Sequence, residues 1–141
     1  SFKEREEGFR ESVKKHKLNE KDITVVSTDL TKEQTTTAIK QLLDKKDRPT
    51  AVIAFNDYVA LEAIKFTREQ GLKINEDISF VSYANLPITT YLEQGLLASV
   101  EQFPYEQAEK ATEILFTILD EKEDTSALQK NYVFQAEVVT H

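Results

Sequence analysis

Cysteine is absent from this chain, so disulfide frameworks and thiolate metal sites are excluded together, and the redox compartment cannot be read from thiols. Glycine stands only at positions 8, 71 and 95, so neither a glycine-rich dinucleotide fingerprint nor a P-loop can be written anywhere. Imidazole is equally scarce: His16 closes a lysine-rich helical stretch and His141 is the last residue. Neither is placed beside a nucleophile as a Ser/His/Asp arrangement demands, so no catalytic residue is assigned. The carboxylates of "EREE" and "EKED" read as solvated faces and loops, because a hard cation needs ligands converging from several segments. No cofactor or metal is therefore expected. Basic charge is also missing: the net charge is −7, with no stripe of Lys and Arg interleaved with aromatics to hold a nucleic-acid backbone. No apolar run approaches the roughly 20 residues of a membrane span, and the first residues lack the apolar core of a signal peptide.

What is present is the composition of one ordinary domain, 40% hydrophobic and 30% charged over 141 residues. Phe2, Phe9 and Val13 share one stripe of a charged helix over residues 2–16, with Gly8 as its weak point. "DITVVST" (22–28) is β-branched and predicts a strand. Thr31, with Gln34 three residues on, has capping-box spacing and opens a helix whose apolar face is Ile39, Leu42 and Leu43. Pro49 breaks that pattern, and Ala51 to Phe55 form a continuous apolar run, as in a strand buried on both faces. The period then becomes helical over residues 57–69 and Gly71 ends it. "DISFVSYA" (77–84) predicts a further strand, and "NLPITTYLEQ" a loop with at most a short helical turn. A short strand "LLASVEQ" follows, then an amphipathic helix from Pro104 to Glu121 with a stripe of Ala108, Ala111, Ile114, Leu115 and Ile118. "EKEDTSAL" is a polar loop and "NYVFQAEVV" a last strand. Strands alternating with helices imply a parallel sheet with right-handed crossovers.

In such sheets ligands bind outside the carboxyl ends of the strands. Asp29, Asn56, Asp57, Tyr83 and Asn85 all sit at such ends. Each has a plain alternative as a cap or turn former, Asn56-Asp57 above all, because Asn and Asp accept an orphaned N–H at a helix start. Arg5 reads from periodicity alone as a surface arginine pairing with nearby Glu.

Three stretches carry a resemblance: "SFKEREEGFRES", "RPTAVIAFNDYVALEAIKFTREQGLKINEDISFVSYANLP" and "LASVEQFPYEQAEKATEIL". Together they resemble the effector-binding domain of the lactose-repressor/galactose-repressor family of bacterial transcription regulators. The resemblance implies an α/β, parallel-sheet, periplasmic-binding-protein-like (flavodoxin-like) subdomain, and an incomplete one. Residues 1–96 would form the second effector-binding subdomain. Residues 97–121 would be a crossover strand and helix belonging with a first subdomain, and 122–141 a loop and return strand.

The function implied is that of a ligand-sensing domain of a cytoplasmic repressor, not an enzyme, that binds a sugar-like effector. It would form a homodimer or higher oligomer and reach DNA only through a headpiece outside this chain. A periplasmic sugar-binding protein of a transporter shares the fold and is the alternative. Ser1 and Arg5 fit the family's Ser and Arg spacing, which makes Arg5 an effector-binding residue. Asn56 would contact effector and Asp57 cap the helix. Leu30 stands where an aromatic often stacks on ligand. Ser82-Tyr83-Ala84-Asn85 stands where many members have Gly-Tyr-Asp-Asp, so Ala84 lacks the usual acceptor, and Asn85 is the next candidate. Gln102 falls near the cleft hinge, with Asp29 and Ser1 at cap or cleft-edge positions.

Overall fold

A computed structural model describes residues 1–120 and 131–141. Helix α1 spans Phe2–Lys15, α2 Lys32–Leu43, α3 Asp57–Glu69 and α4 Pro104–Asp120; strands β1 (Ala51–Ile53), β2 (Ser79–Tyr83), β3 (Ala98–Glu101) and β4 (Glu137–Thr140) form one sheet in that order. β1–β2 and β2–β3 are parallel, whereas β3–β4 is antiparallel, with Ser99 opposite Val139.

The helix starts follow local chemistry. Ser1 caps α1 in a reciprocal capping box with Glu4, and Thr31 Oγ1 accepts the Gln34 N–H at the start of α2. Past α3, Gly71 takes a left-handed φ of 84°, which glycine adopts without cost. The core lies on one face of the sheet, where Ile39, Ala60, Ala63 and Ile64 of α2 and α3 enclose Phe80, Ile74 and Ile78. Burying each large side chain there contributes roughly 1.5–3 kcal/mol. Since strand side chains alternate, Phe80 and Ser82 face that core while Tyr83 turns to the opposite side, beneath α1.

Two expectations are corrected. Residues 23–29, β-branched as they are, lie outside the sheet: after a 3-10 turn at Glu20–Asp22 they have no ladder partner among the described residues, and a strand exists only by pairing. β1 is not buried on both faces, because as an edge strand with little cover on the α1 side it leaves Ile53 52% exposed. β3 pairs with β2 on one side and β4 on the other. The expected loop at 121–128 and the helix end at Glu121 lie outside the described residues. Among the described residues, no helix is long and apolar enough to cross a membrane.

Candidate functional site

The carboxyl ends of β1, β2 and β3 place Phe55-Asn56, Ala84-Asn85 and Glu101-Gln102 along one edge. α1 lies beside it, and its first turn brings Arg5 onto the edge. The guanidinium lies 4.4 Å from the Phe55 ring centroid and 4.1 Å from that of Tyr83, and its Nη1 donates to the Phe55 carbonyl at 2.7 Å. Phe2 stacks on Phe55 with centroids 4.5 Å apart. A guanidinium flanked by rings keeps its orientation and presents its remaining N–H edge, a fork suited to hydroxyl or carboxylate oxygens. Ser1, Arg5, Gly8, Phe9, Ile53 and Tyr83 line an open groove of about 480 Å³. Arg5 is thus no surface partner of a nearby Glu.

Asn56, not Asp57, is the cap of α3: its Oδ1 accepts the Val59 N–H at 2.9 Å. That leaves its amide N–H groups without a partner among the described residues, so one side chain can cap and also donate to a ligand. Asp57 occupies the first helical position, fully buried, where its carboxylate accepts from Ser82 Oγ, from Ser99 Oγ at 2.8 Å and from the Leu86 N–H at 2.6 Å. The capping role read for Asp57 fails because its side chain turns inward to these donors.

Asn85 donates its N–H to Ser99 Oγ at 3.0 Å and its side-chain amide to Glu101 Oε2 at 2.9 Å; Glu101 Oε1 accepts the Phe103 N–H at 2.7 Å. Ala84 and Asn85 both have positive φ, 105° and 51°, a turn that costs about 1–3 kcal/mol per residue unless its surroundings hold it. Gln102 follows Glu101, half-buried. Asp29 and Leu30 belong to a local turn. Asp29 Oδ1 accepts from Thr31 N and Oγ1 and Leu30 N donates to Thr28 Oγ1, with no bond to the Arg5 group. The Thr31 hydroxyl, then its N–H, hold the Asp29 carboxyl below its ordinary value. Ser1, besides capping α1, lines the groove. Among the described residues, no three His, Asp or Glu side chains group to hold a metal.

Sequence reasoning missed Phe55, Ser82, Ser99 and Glu101. The one available signal was serine inside otherwise apolar strands.

The Asn85 amide, then the Phe103 N–H, hold the Glu101 carboxyl below its ordinary value of 4.5. A depressed carboxylate contributes stability that is present above its unfolded pKa and lost as pH falls through the folded one. Glu101→Gln is accordingly expected to lower the melting temperature at neutral pH, with the gap to the parent closing as pH drops below 4.5. Thermal unfolding at both pH values checks this; a gap independent of pH would refute it.

A family model described as a periplasmic binding protein-like domain matches residues 1–139. Among curated proteins, the HTH-type transcriptional repressor PurR of Aliivibrio salmonicida is 29% identical over 138 residues, covering 98% of this chain and 40% of that protein. A solved LacI-family regulatory protein from Chloroflexus aggregans superposes with a TM-score of 0.79 at 29% identity, covering 93% of this chain and 46% of the other. A LacI-family transcriptional regulator from Enterococcus faecium, solved with bound ribose, gives 0.74 at 26% identity, covering 84% and 44%. The chain therefore spans less than half the length of each of these relatives.

Proposed function

The chain belongs to the periplasmic binding protein-like domain family, and from that premise we propose that it is the ligand-sensing domain of a bacterial DNA-binding transcription repressor. The observation that carries this reading is the Arg5 guanidinium held between Phe55 and Tyr83 at the carboxyl edge of the sheet, beside the amide of Asn56, which has no partner among the described residues. Both present donors in fixed directions, which suits a small hydroxyl-rich molecule, a sugar or related metabolite. Effector binding then shifts the protein between two conformations of different DNA affinity, an allosteric coupling that needs unequal effector affinity in the two. DNA is contacted by parts of the protein outside this chain, whose own charge of −7 opposes a phosphate backbone. The protein acts in the cytoplasm, as a homodimer or larger assembly, and catalyses no reaction.

Similarity to repressors and regulators supports this over the transporter reading, which shares the fold. The test is to bind the full-length protein to DNA from its own promoter region and to screen ribose, other sugars and nucleobases for release or tightening. The expected result is a response to one chemical class. A full-length protein with no DNA affinity, or one unmoved by every compound, would overturn the proposal.

A further inference from the structure

We infer that Asp57 is a positioning residue, a buried clamp that fixes the turn after β2 and the β3–α4 connection to the start of α3, so that Asn56 and both segments are held as one unit. The inference rests on the effector-site reading for its functional meaning, though its geometry stands apart from it. Asp57 is fully buried and has no ion-pair partner among the described residues. Burying a carboxylate is costly unless its lone pairs are filled. Here three donors from three separate segments fill them: Ser82 of β2, Ser99 of β3 and the backbone of Leu86. Ser99 relays the hold, because its oxygen donates to Asp57 while accepting the Asn85 N–H. The turn so gripped contains Ala84 and Asn85, whose positive φ values need external support. Asn85 in turn grips Glu101, where β3 ends. A continuous path of hydrogen bonds thus joins the residue after Asn56 to the start of α4.

Three donors converging on one side chain suit a carboxylate. Asparagine offers one acceptor oxygen and one donor group, so at position 57 it cannot accept from both Leu86 and the two serines. If the amide nitrogen faces Leu86, two donors meet. If it faces the serines, both hydroxyls must accept instead of donate, and their own hydrogens lose the carboxylate oxygen that takes them now.

Hydrogen–deuterium exchange on the full-length protein tests the clamp without any effector, so it stands or falls separately from the sensing role. Asp57→Asn is expected to accelerate exchange about ten- to hundred-fold at Leu86, Asn85 and residues 101–103 together. Amides of α1 and α2 should keep their parental rates. Ser99→Ala, a smaller change that keeps the fold accessible should Asp57→Asn misfold, is expected to release Asn85 and residues 101–103 while leaving Leu86 protected. A uniform rise across the chain in Asp57→Asn would show mere global loosening and overturn the inference. So would Ser99→Ala exchange at Asn85 equal to the parent's.

Discussion

Arg5→Ala in the full-length protein is expected to weaken effector binding by about 1.5–3 kcal/mol, the usual worth of a hydrogen bond to a charged group, which is roughly a ten- to 150-fold loss of affinity. The guanidinium is fixed on both faces by Phe55 and Tyr83 and anchored by the Phe55 carbonyl. A ligand therefore meets a donor fork already oriented. Removing it also removes two cation–π contacts, worth about 0.5–2 kcal/mol each, so the variant should melt somewhat lower while remaining folded. Arg5→Lys is the sharper probe, since it keeps the charge but loses the planar fork. Asn56→Ala should likewise weaken binding, but at the added expense of the α3 cap, about 0.5–2 kcal/mol. Calorimetry of Arg5→Ala with an effector found by the DNA-release screen decides the matter; unchanged affinity would remove Arg5 from the site.

The second large effect concerns α4. None of its side chains is buried, and Leu115, Phe116, Ile118 and Leu119 lie 47–66% exposed. Covering one such side chain fully is worth roughly 1.5–3 kcal/mol, so the face as a whole rivals the stability of a domain. The chain as given is expected to self-associate into a dimer or higher oligomer through this helix. β3, being hydrogen-bonded on both edges within its own sheet, stays out of any exchange. Light scattering at high micromolar concentration should show the assembly, and a Leu115→Glu, Ile118→Glu double variant should dissociate it. A parent chain that stays monomeric would defeat the prediction.

How far the sequence is legible depends on the reach of each interaction. Thr31 with Gln34, Asn56 before Val59, and Gly71 announce helix boundaries because caps and C-terminal glycines act within four residues. "DITVVST" misleads for the opposite reason: β-branching favours an extended backbone, but only a neighbouring strand makes it part of a sheet, and no local signal supplies one. The site divides in the same way. Resemblance pointed to Arg5 and Asn56, yet the rings that hold Arg5 come from Phe55 and Tyr83, far away in the chain. Asp57, Ser82 and Ser99 meet only once β1, β2 and β3 are aligned, so a serine in an apolar strand was the sole trace of the buried carboxylate's needs.

The antiparallel β4 has a kinetic consequence. β1, β2 and β3 can zip in chain order, each joined to the next by a connection that lies between them in the chain. β4 must wait until the chain has run through α4 and back before Val138 can meet Val100. Closing that longer loop adds only modest entropy, but it comes after the parallel pairs have set the surface on which β4 lands. In refolding, the amides of residues 137–140 should therefore gain protection last, and until they do the outer edge of β3 stands open as a template for a neighbouring chain.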